Sequence, residues 1–347
     1  MENNGLKIAV LGGGSFGTVI ANISAEKGND VRQWMRSEEA ASEINQHRLN
    51  SRYLPGYKLA RSLTAFTDME TALKDIDLLF VSIPSASFRA VVRVAAQYLP
   101  ADIKVISTTK GIEADSFKMM SQIVAEELPQ AKVGVLSGPN FAKELAQKQL
   151  TATVVASHDK ELRSIVQSLL HLSYFRIYAS DDIYGVELGG VLKNIYAIAS
   201  GLSAAMGMGE NTRSMLLTRA LAEMSRFAVS MGANPLTFLG LAGVGDLVAT
   251  CMSPLSRNYR VGYALGSGKN LQQAVAELGQ VAEGVNTVRL VRDKCIELGV
   301  YMPLLQGLYD IVYKGATPSK VAIGMMLSEQ GSDVEFVLPS GNNSGIV

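Results

Sequence analysis

One lysine, Lys193, stands in the middle of VELGGVLKNIYAIASG, residues Val186 to Gly201. Leu188, Val191, Leu192, Ile195 and Ile198 recur there at helical spacing. At about 100° per residue, Gly189, Gly190, Ala197, Ser200 and Gly201 lie on the same side as the lysine. An ammonium among such small residues has two readings. It snorkels from the rim of a close helix–helix contact, or it points at a ligand for which the small residues leave room. A second constellation is AVLGGGSFGTVI, where Gly12, Gly14 and Gly17 give G-x-G-x-x-G. It follows the strand pattern KIAVLGG and opens a helix expected from Ser15 to Lys27, which is the setting of a dinucleotide-binding turn. Gly12 permits the tight turn, Gly14 lets the backbone approach a pyrophosphate, and Gly17 packs helix on strand. The helix N-terminus then holds the anion. The next strand ends QWMRS, with Arg36 where an NAD site places an acid for the ribose 2′-hydroxyl. An arginine there pairs with a 2′-phosphate and favours NADP; stacked on adenine instead, it leaves NAD open.

The elements that must position these residues change in style along the chain. Up to about residue 182, short β-rich runs (KIAVLGG, DVRQWMR, DIDLLFVSIP, DIKVISTTKG, AKVGVLSGP, TATVVAS, SYFRIYAS) alternate with helical patterns. That predicts an α/β Rossmann-type domain with a mainly parallel sheet. From residue 183 to 335 helical periodicity persists and β-branched runs nearly vanish, which predicts an all-α domain with Lys193 on its first helix. Residues 336–347 are polar and rich in Gly, Ser and Asn, a frayed tail. The whole chain has 347 residues, 48% hydrophobic and 18% charged, as expected of a globular protein of two domains. Lys plus Arg and Asp plus Glu both number 32, which gives no support to a nucleic-acid or membrane-surface role. Two cysteines, Cys251 and Cys295, form no disulfide framework and fit a reducing, cytoplasmic compartment. No metal-ligand spacing occurs, no signal region precedes the first strand, and Glu187 and Lys193 interrupt the best apolar run, so stable membrane insertion is not expected.

Seven motifs in order, GGGSFGT, STTKGIE, LSGPNFAKE, ELGGVLKNIYAIASG, GVGDLVATC, SRNYRVG and AEGVNT, carry a resemblance. The chain resembles the bacterial NAD(P)-dependent glycerol-3-phosphate dehydrogenases over nearly its whole length except the last dozen or so residues. The resemblance implies a 6-phosphogluconate-dehydrogenase-like architecture and reversible NAD(P)H-dependent reduction of dihydroxyacetone phosphate to sn-glycerol 3-phosphate for phospholipid synthesis. It also implies roles. Ser15 and Phe16, the latter where the family commonly has Trp, would line the cofactor loop. Arg36 would meet the adenosine ribose or its phosphate. Lys110 would reach both substrate and nicotinamide. Gly138 and Asn140 would line the substrate site, with Ser or Thr usual at the latter position, and Ala142 would touch cofactor. Lys193 would be the catalytic acid/base with Asn194 and Asp246 beside it. Ser256, Arg257 and Asn258 would hold substrate, Arg257 reaching the cofactor too, and Val281 and Glu283 would close over the cofactor.

Elementary chemistry bears on several of these roles. One ammonium can deliver the proton and stabilise the oxyanion of a carbonyl reduction, so the small residues beside Lys193 are read as room for substrate. A free lysine titrates near 10.4, and a second cation such as Lys110 together with apolar surroundings would lower it. Asp246 either orients Lys193, N-caps the helix before LVATC, or does both. Ser256 reads as an N-cap, putting Arg257 and Asn258 in the first turn. A cation is unfavourable there unless it holds an anion or joins a surface salt bridge. A reductase of another 2-oxo compound such as ketopantoate would not need SRN as a phosphate clamp. A non-catalytic NADPH-binding module would not need Lys110, Lys193 and Asp246 together. Apolar helices in the second half are compatible with a homodimer, and the sequence does not fix the oligomeric state.

Overall fold

A computed structural model describes residues 5–279 and 281–327; the tail expected at 336–347 lies outside the described residues. Eight strands form one sheet: β1 Lys7–Leu11, β2 Asp30–Trp34, β3 Leu63–Phe66, β4 Leu78–Val81, β5 Lys104–Ser107, β6 Lys132–Ser137, β7 Thr151–Ser157 and β8 Phe175–Ser180. Between them run α1 Ser15–Glu26, α2 Glu38–His47, α3 Met69–Leu73, α4 Ser85–Ala95, α5 Met120–Glu127, α6 Ala142–Ala146 and α7 Lys160–Leu170. Helices follow: α8 Ile183–Ala205, α9 Glu210–Ser230, α10 Asp246–Met252, α11 Arg257–Gly266, α12 Leu271–Leu278, α13 Glu283–Leu298, α14 Pro303–Lys314 and α15 Pro318–Met326.

The sheet order is β3-β2-β1-β4-β5-β6-β7-β8, parallel throughout except for the antiparallel pair β6–β7. Ile8, Ala9, Val10 and Leu11 of β1 are fully buried, as a central strand covered by helices on both faces requires. The order reverses between β1 and β4, and there the chain leaves β1 as the glycine-rich loop, the switch point at which open sheets of this kind bind ligands. One strand was not foreseen. β3 has four residues and one β-branched side chain, Thr64, too little to stand out as a run.

Helix α8 is the axis of the helical part. Of its 23 residues 18 are buried, so it is apolar on nearly every side. Asp182 caps it, accepting from the Gly185 N–H at 2.9 Å and from the Thr237 hydroxyl at 2.6 Å. Its small residues correct the sequence reading. A Cβ on Gly201 would run into the Tyr259 carbonyl, and one on Gly262 into the Ile198 carbonyl, so α8 and α11 cross at backbone contact. A Cβ on Gly189 would stand 2.5 Å from the Ala242 carbonyl. These glycines make room for neighbouring backbone, not for substrate, and Lys193, 5% exposed, does not snorkel from a rim.

Two carboxylates lie buried against α8. Glu187 accepts from the N–H and the hydroxyl of Ser121 at the start of α5, joining helical part to sheet. Glu223 accepts from the Tyr196 hydroxyl at 2.9 Å and from the N–H groups of Leu304 and Leu305 at the start of α14. Burial raises each carboxyl to about 7. A raised folded-state pKa means that the fold holds a proton which the unfolded chain releases above its ordinary value of 4.5. The Glu187 contribution to stability is therefore full below about pH 4.5 and lost as pH rises through about 7. Glu187→Gln is expected to gain on the wild type by roughly 3 kcal/mol over that window. Urea midpoints at both ends of the window check this; a difference independent of pH would refute it.

Candidate active site

The glycine-rich loop leaves open space at an uncapped helix N-terminus. Gly12 has φ +124°, and a Cβ there would strike the Ser82 carbonyl. Gly17 lies so close that a Cβ would be 2.5 Å from the Gly12 carbonyl. Gly14, the N-cap of α1, has open space where a Cβ would stand, and no side chain caps the helix. Uncapped N–H groups facing open space are what a diphosphate needs. Three buried polar side chains, missed from the sequence, hold the loop from behind. Gln33 donates to the Gly12 carbonyl at 2.8 Å and to the Thr18 hydroxyl; Asn50 donates to the Gly13 carbonyl at 3.0 Å and to the same hydroxyl. The loop carbonyls thus point backward. The only signal was a glutamine inside an apolar strand.

Of the other expected cofactor contacts, Ser15 turns its hydroxyl to the Tyr53 carbonyl at 2.7 Å, and Phe16 packs on the sheet core. Arg36 is exposed just past β2, next to Met35, whose side chain abuts Gly13. Glu38 and Glu39 lie on the first turn of α2, both exposed. Ala142 begins α6. Val281 is half-exposed before α13. Glu283, the first residue of α13, binds the N–H and hydroxyl of Ser85 at 3.0 and 2.6 Å, bridging the helical part to the start of α4.

Lys110, Lys193 and Asp246 converge. Lys110 follows β5, Lys193 lies mid-α8, and Asp246 is the first residue of α10, behind a π-helical turn at Leu241–Gly245. Asp246 does not N-cap its helix. Gly245 occupies that position, and both carboxylate oxygens are taken by ammonium groups. Lys193 donates to Asp246 Oδ1 and, at 2.8 Å, to the hydroxyl of Thr250, one turn along α10. Thr250 was not singled out from the sequence, although it lies four residues after Asp246 on the same helical face. Lys110 donates to Asp246 Oδ2 at 2.8 Å, the Gly138 carbonyl at 3.0 Å and Asn140 Oδ1 at 3.3 Å. An ammonium has three protons. Lys110 has three protein acceptors, whereas Lys193 has two and keeps one N–H uncommitted. Burial pushes the Lys193 pKa down to about 7; the Lys110 cation adds to the fall and Asp246 opposes it.

The expected substrate residues separate into two groups. Ser256 caps α11, accepting from the Tyr259 N–H at 3.2 Å, and Arg257 and Asn258 are the first two helical residues with no acid in that turn. Among the described residues no hydrogen-bond partner holds the Arg257 guanidinium. It is exposed, yet enclosed enough that desolvation lowers its pKa, against the opposing charge of Glu283. The side chains of Asn194 and Asn258 do not face the cleft groups. Asn258 donates to Asn194 Oδ1 at 2.8 Å and accepts from the Gly284 N–H at 3.0 Å, while Asn194 donates to the Gly190 carbonyl. Adjacent in sequence to Lys193 and Arg257, these amides turn the other way and tie α8, α11 and α13 together. No group of three or more His, Cys, Asp or Glu is placed to hold a metal among the described residues. No helix among them is long and apolar enough to cross a membrane.

The chain matches two family descriptions, NAD-dependent glycerol-3-phosphate dehydrogenase N-terminus over residues 7–163 and C-terminus over residues 182–323. It is 55% identical over 338 residues to a glycerol-3-phosphate dehydrogenase [NAD(P)+] of Acinetobacter baylyi, covering 97% of this chain and 94% of that one. It is 57% identical over 336 residues to the protein so named in Pseudomonas fluorescens, covering 97% and 98%. The crystal structure of a glycerol-3-phosphate dehydrogenase from Coxiella burnetii superposes with TM-score 0.89 at 35% identity, over 93% of this chain and 99% of that one.

Proposed function

The chain belongs to the NAD-dependent glycerol-3-phosphate dehydrogenase family, and we propose that Lys193 is its acid/base while Arg257 and the start of α11 hold the substrate phosphate. It is an NAD(P)-dependent oxidoreductase that reduces dihydroxyacetone phosphate to glycerol 3-phosphate, reversibly. The reduced nicotinamide supplies the hydride that the carbonyl carbon accepts. The Gly12–Gly17 turn and the N-terminus of α1 would hold the cofactor diphosphate, with Arg36 at the adenosine ribose.

The observation that carries the reading is the proton count at the two lysines. Lys193 alone has an N–H free for the substrate carbonyl oxygen. As charge develops on that oxygen the proton passes to it, and Lys193 ends as a neutral amine beside Asp246. Lys110 stays charged and stabilises the oxyanion through its field. In the reverse direction a neutral Lys193 takes the hydroxyl proton. The phosphate meets the guanidinium of Arg257 and the backbone N–H groups of Arg257 and Asn258, whose helix dipole favours an anion. That resolves a cation in a first turn that disfavours it, and it assigns Asn258 a backbone contact in place of a side-chain one.

NADPH oxidation with dihydroxyacetone phosphate, ketopantoate and unphosphorylated dihydroxyacetone tests the reading. Only the first should turn over efficiently; equal use of ketopantoate would overturn it. We assign NADP as the preferred cofactor from Arg36. Arg36→Ala should cost about ten- to a hundredfold in kcat/KM with NADPH and little with NADH, as expected from losing one charge-assisted hydrogen bond. Equal losses with both cofactors would show that Arg36 stacks on adenine. The product suits glycerophospholipid synthesis, and the two buried free thiols suit a reducing cytoplasm. A homodimer is the assembly we propose from the apolar side chains exposed on the helical part, such as Leu236, Leu239 and Met252.

A further inference from the structure

We propose that Thr153, a fully buried hydroxyl on β7, is a positioning residue for the reaction: it fixes which end of the Asn140 amide faces Lys110. The proposal follows from counting donors. A threonine hydroxyl has one proton. Thr153 gives it to the Ser137 carbonyl at 2.9 Å. Toward Asn140, 3.0 Å away, it can therefore only accept. The amide must turn its NH2 to Thr153, which turns its oxygen to the Lys110 ammonium at 3.3 Å. The opposite orientation would set NH2 against an ammonium and a carbonyl oxygen against hydroxyl lone pairs. Amide orientation is decided by just such networks.

The backbone supports the same arrangement. Gly138 has φ +144°, and a Cβ there would stand 3.0 Å from the Thr153 oxygen. Glycine lets the turn lie on Thr153 and offer its own carbonyl to Lys110. Gly138, Asn140 and Asp246 thus absorb all three protons of Lys110. Fixed there, Lys110 acts on Lys193 as a standing charge and does not compete with it as a donor. The side chain at 140, expected to line the substrate site, belongs to this cradle.

The inference rests on Lys193 as the acid and Lys110 as its neighbouring cation. The groups facing this pair are Asp246 and the Cys251 thiol from α10 and Glu283 from α13, whose carboxylate approaches Gly111. If Thr153 loses its hydroxyl, the Asn140 NH2 loses its buried acceptor, the amide is no longer held in place, the cradle loosens and Lys110 moves off. Removing a nearby cation raises the Lys193 pKa. The pH limb of glycerol 3-phosphate oxidation then moves upward.

The experiment measures kcat/KM for glycerol 3-phosphate against pH in Thr153→Val, Thr153→Ser, Asn140→Ala and the Thr153→Val/Asn140→Ala double variant. Thr153→Val should lose roughly tenfold at neutral pH, as for one charge-assisted bond, with its limb about half a unit or more higher. Thr153→Ser should stay near the wild type. Asn140→Ala should show the same upward shift, and the double variant should be no worse than Asn140→Ala alone. An unshifted limb in Thr153→Val, or additive losses in the double variant, overturns the inference. Should Thr153→Val not fold, an unshifted limb in Asn140→Ala does so equally. Failure of the underlying reading shows separately, as turnover that survives Lys193→Met whatever Thr153 does.

Discussion

Lys193→Met is expected to bind NADPH as the wild type does and to lose about 10²–10⁴-fold in kcat from the missing proton transfer alone, with the loss of oxyanion stabilisation added to it. Methionine keeps most of the buried volume. Asp246 still has Lys110 as its counter-ion, so the change does not strand a buried carboxylate. Cofactor titration by fluorescence checks folding and binding, and single-turnover reduction of dihydroxyacetone phosphate checks the chemistry. A variant that keeps most of its turnover would show that another group delivers the proton. The wild type carries a second signature of the same residue. Lys193 titrates near 7, and it must be protonated to reduce and neutral to oxidise. Reduction should therefore fall as pH rises through that value, and oxidation should rise. The second ionisation of a phosphomonoester, near 6, affects both directions and cannot reverse sign between them. In Lys193→Met the residual rates should lose the opposed limbs.

Which of these residues the sequence announced, and which it hid, has a physical pattern. The glycine pattern was legible by its spacing: Gly12 needs its positive φ and Gly17 its close contact with the Gly12 carbonyl, whereas Gly14 has an ordinary φ and stands in open space. Lys193 was legible as a charge on an otherwise apolar helix. Its small neighbours were misread because periodicity gives a face without saying what covers it; the covering groups, the carbonyls of Tyr259 and Ala242, come from distant segments. Asp246 was read as a possible cap because acids are common there, but a π-helical turn moves the cap to Gly245 and frees the carboxylate for both lysines. Asn194 and Asn258 were placed in the substrate site by resemblance, and no local signal showed that their amides pair with each other, since successive helical residues diverge by about 100°. Gln33, Asn50, Thr153 and Thr250 act through hydrogen bonds to partners elsewhere in the chain or one turn away. Beyond the glutamine inside a strand and the helical spacing of Thr250 from Asp246, their local sequence does not distinguish them from ordinary polar residues. Strand β3 was too short to form a run, yet it extends the sheet beyond β2 and Arg36.

Arg257→Ala is expected to raise KM for dihydroxyacetone phosphate steeply and to lower kcat with it. The guanidinium has no hydrogen-bond partner among the described residues, and it stands at the start of a ten-residue helix whose Ser256 cap satisfies only the Tyr259 N–H. The N–H groups of Arg257 and Asn258 lie in the same first turn without an intrahelical acceptor. A dianionic phosphate would satisfy all of these groups at once. Its binding energy also positions the carbonyl against Lys193, so removing it costs rate as well as affinity. A charge-assisted contact contributes roughly 1.5–3 kcal/mol, and a bidentate guanidinium–phosphate pair more, so kcat/KM should fall at least ten- to a hundredfold. Unphosphorylated dihydroxyacetone provides the control. It should be a poor substrate for the wild type and nearly insensitive to the substitution, because it lacks the group that Arg257 holds. Inorganic phosphate or a phosphate monoester added in trans should partly restore its turnover by the wild type and not by Arg257→Ala. Equal fractional losses on both substrates would remove the phosphate from Arg257 and leave the guanidinium with the cofactor, where Glu283 across the cleft would then be its partner.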